Sequence, residues 1–238
     1  MRVLGIETAT AVCAAAVVEE RRILSEHVLE GRNIHAEKLL TLIDAALADA
    51  RLDAGGIQGI AVSIGPGSFT GLRIGLSVAK GLVYALELPL LAVSTLRALA
   101  QQVVDAGQAE SPGHLLATVD ARRDDVYCQL FTVDRGVISP VWEQQNLTVA
   151  GLLTKLSGMK VVVTGDGSAK VIEAAQRKHQ AISIDMRAIE GDLGRCRASS
   201  IARMGEEMLR QGSRSDPITL EPTYLKEFFS TPAVTRPV

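Results

Sequence analysis

The chain has 238 residues, of which 47% are hydrophobic and 22% charged, and its formal net charge is −2. It is too apolar and too nearly neutral to be intrinsically disordered. The same near-neutral charge argues against a protein that holds nucleic acid by itself through phosphate neutralisation. The three cysteines are far apart in the sequence, so they form neither a disulfide framework nor a zinc motif.

The sequence predicts neither a membrane span nor a signal peptide. Its most apolar stretch, residues 81–93, is interrupted by Glu87 and Pro89 and is shorter than the ~20 residues that a membrane helix needs. The N-terminus passes from Arg2 directly into a strand-like run, without the apolar core and small-residue cleavage site of a signal peptide. We therefore expect a cytoplasmic protein with no membrane association.

The first half of the chain alternates strand-like and helical patterns. Periodicity is clearest at 34–50, where apolar residues recur at three- and four-residue spacings, and Asn33 is the predicted N-cap of this helix. Ser94 and Thr95 are predicted to cap a later helix. The predicted strands are residues 3–6, 12–18, 23–29, 57–64 and 89–93, and the predicted helices are 34–50, 69–86 and 95–104.

A similar order of elements begins again after residues 105–113, a Gly- and Pro-containing stretch that predicts a linker. Each half opens with a strand that ends in an acid, Glu7 or Asp120, and later has a strand, a Gly-x-Gly-Ser turn and a helix. The predicted strands of this half are 115–119, 126–133 and 160–164, and its helices are 148–156, 168–178 and 200–209.

This alternation predicts an α/β fold with mixed sheets flanked by helices. We expect two lobes, residues 1–106 and 107–238. Whether the extended tail from about residue 216 returns to the first lobe is left open by the sequence.

The most informative segment is GPGSFTGLRIG at residues 65–75, a glycine turn between a strand and a helix. Such a turn can bind an anion through free amides at a helix N-terminus. However, it lacks the Gly-Lys-Ser/Thr ending of a P-loop, and Thr70 replaces a glycine of the dinucleotide fingerprint. We therefore interpret it as a tight turn with Ser68 as the N-cap.

Small residues recur every four positions along the helix that follows this turn. Gly71, Gly75, Ala79 and Val83 form one smooth stripe, although each helical glycine costs about 1 kcal/mol relative to alanine. Close packing against another helix would offset that cost. The stripe fits either packing within the chain or a helix of a partner, and we favour the partner.

The first hairpin contains Glu7, Thr8, Ala9 and Thr10, in the pattern of the phosphate-binding Asp-x-Gly-Thr turn of actin-like and hexokinase-like ATPases. Here Glu7 replaces the aspartate, and the Cβ of Ala9 blocks the close backbone approach that a phosphate needs. A metal site at His35 would need a second ligand four residues on, where Leu39 stands. The sequence thus predicts a degenerate phosphate hairpin and no metal site.

Five segments together resemble the TsaB (YeaZ) family over nearly the whole chain. They are the opening IETAT at 6–10, GPGSFTGLRIG at 65–75, VSTL at 93–96, Asp120-Ala121-Arg122 with Val126-Tyr127, and Glu221-Pro222-x-Tyr224-Leu225. The resemblance implies an actin-like (ASKHA, ribonuclease H-like) fold. It further implies a non-catalytic subunit of the machinery that makes N6-threonylcarbamoyladenosine (t6A) on tRNA.

In this family the subunit binds and activates TsaD, the metal-binding transferase, and TsaE joins them, so that contact with tRNA is indirect. The resemblance implies a homodimer when the chain is alone, no cofactor held by this chain alone, and leaves open a nucleotide at the interface with TsaD. The partner surface would be a helix pair. Its predicted residues are His35, Leu39, Leu42, Ala46, Phe69, Leu72, Gly75, Leu76, Ala79 and Val83.

Two alternatives come from other classes. One is a small-molecule kinase or ATPase of the actin-like superfamily, with Glu7 and Asp120 as candidate cleft carboxylates. The other is direct tRNA binding by this chain, which the net charge of −2 disfavours. The phosphate hairpin distinguishes the kinase hypothesis from the non-catalytic subunit, because Ala9 opposes phosphate binding.

Overall fold

The computed structural model describes residues 1–177, 184–189 and 191–226. They form two β-sheets with helices packed on them. The first sheet has the order β3-β2-β1-β4-β5, with β1, β4 and β5 parallel and β2 and β3 antiparallel. Its strands are β1 (Arg2–Glu7), β2 (Val12–Glu19), β3 (Arg22–Glu30), β4 (Gly59–Ser63) and β5 (Leu90–Val93).

The second sheet repeats this arrangement, with the order β11-β10-β6-β7-β8 and β9 paired to β7. Its strands are β6 (Gly113–Asp120), β7 (Asp125–Asp134), β8 (Val137–Pro140), β9 (Gln145–Thr148), β10 (Lys160–Thr164) and β11 (Asp185–Ala188). The sequence analysis missed β8, β9 and β11. Each has only four residues and a largely exposed or half-buried pattern, so it carries little hydrophobic alternation.

Six α-helices complete the described fold. They are α1 (His35–Asp49), α2 (Phe69–Leu86), α3 (Thr95–Asp105), α4 (Val149–Lys155), α5 (Ser168–Arg177) and α6 (Ala198–Arg210). The Oγ atoms of Ser68 and Ser94 accept hydrogen bonds from the amides of Gly71 and Arg97, which confirms both as N-caps. The prediction of Asn33 as a cap is wrong, because Ile34 holds that position with no side-chain bond and Asn33 has a φ of +59°. Residue 178, the predicted end of α5, lies outside the described residues.

Helices α3 and α6 each pack on the sheet formed by the other half of the chain. α1 and α2 cover one face of the first sheet, and α6 covers its other face, with Ile201 and Ala202 buried against Val3 and Leu91. α3 packs instead on the second sheet, through Leu99 among others. The division of the chain at residue 106 stays a prediction, and the packing shows that the two halves are interlocked.

Two glutamates hold α6 on the first sheet. Glu26 of β3 accepts hydrogen bonds from the amide and hydroxyl of Ser199 and pairs with Arg197 at the N-terminus of α6. Glu206, fully buried on α6, accepts hydrogen bonds from the amides of Glu20 and Arg21, both at 2.7 Å. Buried carboxylates need such partners, so these bonds fix both the position and the register of α6.

The predicted internal similarity of the halves is visible in their glycine turns. Gly65 and Gly165 both lie in the left-handed region, with φ values of +107° and +102°. Both follow a buried parallel strand, β4 or β10, and lead into a helix, α2 or α5. Only glycine adopts this conformation without strain, which explains the shared turn residue.

Residues 215–226, which we call the strap, run from the edge of the first sheet to the second. The amide of Ser215 donates to Leu90 O and that of Thr223 to Ile64 O, at 2.8 and 2.7 Å. The strap then reaches the β6–β7 turn, where Lys226 Nζ lies 2.7 Å from Asp125 Oδ2. The predicted tail beyond residue 226 lies outside the described residues.

Candidate functional site

The first candidate site is the hairpin between β1 and β2. Glu7 is buried at the end of β1, and the amide of Ala9 donates a 2.5 Å hydrogen bond to Glu7 Oε1. Glu7 Oε2 and Thr8 Oγ1 have no hydrogen-bond partner among the described residues. Burial raises the pKa of Glu7 to about 7, despite that hydrogen bond.

The N-terminus of α2 packs directly against this hairpin. The amide of Ser68 donates to Ala9 O at 2.6 Å, and a Cβ at Gly67 would lie only 2.2 Å from the same oxygen. The amide of Gly71 is bound by the Ser68 side chain. Because these N-terminal amides are already used within the chain, the interpretation of the glycine turn as a structural cap is favoured over an anion site.

A cavity of about 430 Å³ lies between the β1–β2 hairpin and the β10–α5 turn. Its walls include Thr10, Asp166, Glu173 and Cys196, with the ion pair of Glu30 and Arg195 beside them. Asp166 keeps contact with solvent, yet desolvation by the surrounding protein raises its pKa, against a hydrogen bond from the amide of Asp120. The cavity has the size of a small-molecule site, and its charged lining consists of three carboxylates and one arginine.

The other candidate groups have structural surroundings. His35 is buried with its Nε2 atom 3.1 Å from Val12 O, and Cys13, Cys128 and Cys196 are buried thiols whose pKa values burial raises. No group of three or more potential metal ligands occurs within the part of the chain that the structure describes. His35 and the three cysteines are thus packed within the fold.

The predicted partner-binding helix pair is mostly turned inward. Nine of its ten residues are buried within this chain, and Phe69 is half-buried. The small-residue stripe, Gly71, Gly75, Ala79 and Val83, is the inner face of α2, where a Cβ at Gly75 would lie 2.2 Å from Thr8 Oγ1. At Gly71 and Gly75 the stripe lies against Thr8 of the β1–β2 hairpin, and Ala79 and Val83 belong to the core, which favours packing within the chain over a partner helix at these four residues.

A second stripe lies on the opposite side of α2. Ser77, Gly81 and Ala85 are exposed and again four residues apart, and Tyr84 beside them is 89% exposed. We call these four residues the outer face of α2. A Cβ at Gly81 would meet no atom within 4 Å. The sequence analysis missed this stripe, although its spacing is the same as that of the inner face.

α2 also has the length and composition of a membrane span, which the analysis of residues 81–93 did not anticipate. Among the described helices it alone is long and apolar enough to span a membrane, with 18 residues and a mean hydropathy of 1.2. A core helix of a soluble protein meets the same criteria, and the inner face of α2 is packed on the first sheet. The hydropathy of α2 is thus accounted for by its packing on the first sheet, where Leu76 and Val83 are buried and Ile74, Val78 and Leu82 are partly buried against the same core.

Comparison with known proteins places this geometry in a family. A family model described as TsaD: tRNA N6-adenosine threonylcarbamoyltransferase matches residues 22–228. The Haemophilus influenzae protein named tRNA threonylcarbamoyladenosine biosynthesis protein TsaB is 34% identical over 128 residues, 53% of this chain and 52% of that protein. The chain thus matches about half the length of this curated relative.

Solved structures show the same fold over most of the chain. YeaZ from Pseudomonas aeruginosa is 26% identical with a TM-score of 0.77, covering 94% of this chain and 99% of that one. The ROK hexokinase from Thermus thermophilus, at 15% identity and a TM-score of 0.51, covers 88% of this chain and 100% of its own, and shares the fold alone.

The two mixed sheets and their interlocked helices form an actin-like (ASKHA) fold, as the sequence predicted. The chain belongs to the family of the matched model and, within it, to the TsaB (YeaZ) group. The resemblance drawn from the sequence motifs is thereby confirmed.

Proposed function

We propose that this chain acts in t6A biosynthesis on tRNA as a non-catalytic subunit that binds and activates a TsaD-type transferase. The observation that carries the proposal is the family membership: relatives from Haemophilus influenzae, Bacillus subtilis and Escherichia coli are named as t6A biosynthesis proteins TsaB. The partner would be a TsaD-type enzyme, with TsaE as a further component and tRNA contacted indirectly, in the cytoplasm.

The closed hairpin supports a non-catalytic role. A phosphate at the β1–β2 turn would need free amides and room next to the backbone. Instead, the amide of Ala9 is bound to Glu7, and the oxygen of Ala9 is bound to the amide of Ser68. Glu7, the carboxylate at the end of β1, is buried behind the turn, where it is poorly placed to coordinate a magnesium ion.

The outer face of α2 is the best candidate for the surface that binds the partner. An exposed helical glycine costs about 1 kcal/mol relative to alanine, and at Gly81 no contact within the described residues compensates for it. Ser77, Gly81 and Ala85 would let a second helix approach closely, and Tyr84 would supply an aromatic anchor. The same face would serve the homodimer that we propose for the chain alone. A nucleotide, if one is used, would bind at the interface with the transferase.

The test is a pairing experiment between this chain and the TsaD-type protein of the same organism. Gly81→Glu places a charge on the outer face without an internal clash and removes a helical glycine, so we expect lost pairing, lost t6A formation and a melting temperature no lower than that of the wild type. The matched control is Ala150→Glu, which places the same charge at an exposed residue of α4. If the Gly81→Glu chain pairs and supports modification like the wild type, the proposed surface is wrong.

A kinase or ATPase is the second candidate, because the cavity of about 430 Å³ remains open between the two sheets. Calorimetry of the isolated chain with ATP and magnesium distinguishes the two functions. We expect no binding at micromolar nucleotide, since the hairpin is closed and three carboxylates of the cavity, Glu30, Asp166 and Glu173, outnumber its one arginine. Micromolar binding would favour the kinase and contradict the scaffold.

A further inference from the structure

The strap contains a turn that is held rigidly by one aspartate. Asp216 accepts a hydrogen bond from the amide of Ile218 at 2.9 Å and another from the hydroxyl of Thr219 at 2.8 Å. Its carbonyl oxygen accepts from the amide of Leu220 at 3.0 Å. The preceding residue, Ser215, is bonded to Leu90 at the edge of the first sheet. The turn is therefore preorganised and fixed to the body of the protein.

This rigid turn presents an apolar side chain to solvent. Ile218 is 87% exposed, and it lies across a groove of about 620 Å³ from Tyr84 of α2. Pro217 and Leu88 line the same groove. Large apolar side chains held in fixed positions around a groove are typical of the anchors of protein interfaces, because little conformational entropy is lost when they bind.

The groove continues the outer face of α2, since Tyr84 belongs to both. Lys80 and Glu87, seven residues apart on one side of the groove, place a positive and a negative charge along it. A helix that packs along the outer face would pass over this groove near the C-terminus of α2. Its best complement is an apolar side chain flanked by an acid facing Lys80 and a base facing Glu87.

We propose that the groove between Tyr84 and Ile218 is the anchor pocket for the partner's helix, so that the strap is part of the partner-binding surface. This inference rests on the proposed function and goes further, because it assigns a recognition role to the strap, whose Ile218 lies 134 residues after Tyr84 of α2 in the sequence. The strap then selects partners by the residue that fills the groove, whereas the outer face only permits close approach.

The experiment measures the affinity of the full chain for the TsaD-type protein of the same organism. Ile218→Asp should weaken pairing roughly tenfold or more, as for an interface hot spot, without changing the melting temperature. Asp216→Ala, which frees the turn, should weaken pairing less. Val137→Asp, which removes a 63% exposed side chain from β8 of the second sheet, is the control and should have no effect.

The outcomes separate this inference from the function on which it rests. If Gly81→Glu abolishes pairing and Ile218→Asp leaves it unchanged, the anchor pocket is refuted and the scaffold function stands. If both variants pair normally, or if the wild-type chain does not pair at all, the proposed surface fails and the pocket fails with it. Weakened pairing by Ile218→Asp and not by Val137→Asp supports the pocket.

Discussion

The two faces of α2 are built from the same kind of residue and meet different surroundings. On the inner face, a Cβ at Gly71 would lie 2.1 Å from Thr8 O. On the outer face, a Cβ at Gly81 would meet nothing within 4 Å. Small residues at four-residue spacing therefore mark a face that allows close approach of another segment. Only the tertiary structure shows whether a segment of the same chain already packs there.

The largest effect is expected on the inner face, at Gly71. Gly71→Ala would push a methyl group into a backbone oxygen of the β1–β2 hairpin, which cannot move without breaking the first sheet. We expect a loss of roughly 3 kcal/mol or more in the free energy of unfolding, measured by urea denaturation. A fully stable Gly71→Ala chain would show that the hairpin is not packed on α2 as described.

Glu7, in the β1–β2 hairpin that packs against the inner face of α2, makes the free energy of unfolding depend on pH. The pKa of Glu7 is raised from 4.5 to about 7 by burial, so the folded state holds this proton more tightly than the unfolded state. The stabilisation is fully present below about pH 4.5 and is lost as the pH rises through 7. The wild type should lose roughly 2–3 kcal/mol between pH 5 and 8 through this group.

Glu7→Gln isolates that contribution, because glutamine stays neutral and keeps nearly the same shape. We expect the variant to gain stability over the wild type at pH 8 and to gain little at pH 5, as measured by urea unfolding at both values. Equal pH dependence in the two proteins would mean that Glu7 is not the buried carboxyl that titrates.

A double-mutant cycle at Gly75 and Thr8 tests whether the inner stripe meets a side chain or the backbone. The atoms nearest to a Cβ at Gly75 all belong to the Thr8 side chain. Gly75→Ala should therefore cost about 2 kcal/mol, of which Thr8→Ala restores about 1 kcal/mol. Thr8→Ala should not rescue Gly71→Ala, whose clash is with the Thr8 carbonyl oxygen, and additive effects at Gly75 would contradict the described contact.

The smallest effect on stability is expected on the outer face, and its sign is opposite. Gly81→Ala removes a helical glycine without any clash, so the isolated chain should gain about 0.5–1 kcal/mol. The added methyl group should weaken pairing with the partner, because it keeps a second helix at a distance. Stability by urea unfolding and affinity by calorimetry should thus move in opposite directions, whereas a parallel gain would remove the outer face as an interface.

Most elements of the fold could be predicted from the sequence, because they depend on local patterns. The helical period of α1 and α2, the caps at Ser68 and Ser94, and the buried runs of β1, β2, β4 and β10 all agree with the structure. The short strands β8, β9 and β11 were not predicted, because pairing with a neighbouring strand defines them and four-residue segments carry too little periodicity.

The site was harder to predict than the fold. The degenerate phosphate hairpin was predicted from the identities of Glu7 and Ala9, since these residue types disagree with phosphate binding wherever the turn lies. The partner surface was predicted on a helix pair that includes the inner face of α2, since a spacing of four residues shows that a stripe exists and not what covers it. The outer face carried the same signal in Ser77, Gly81 and Ala85 and was overlooked.

By itself, the sequence determined the period, caps and turns of the elements, and the family motifs, because these depend on residues close together in the chain. The tertiary structure alone decided which face of α2 is filled, and that α6 from the second half closes the first sheet. Glu26 and Ser199, or Thr8 and Gly75, meet only after distant segments have folded together. Such contacts leave no local pattern in the sequence, because the residues that cover a face come from segments far apart in the chain.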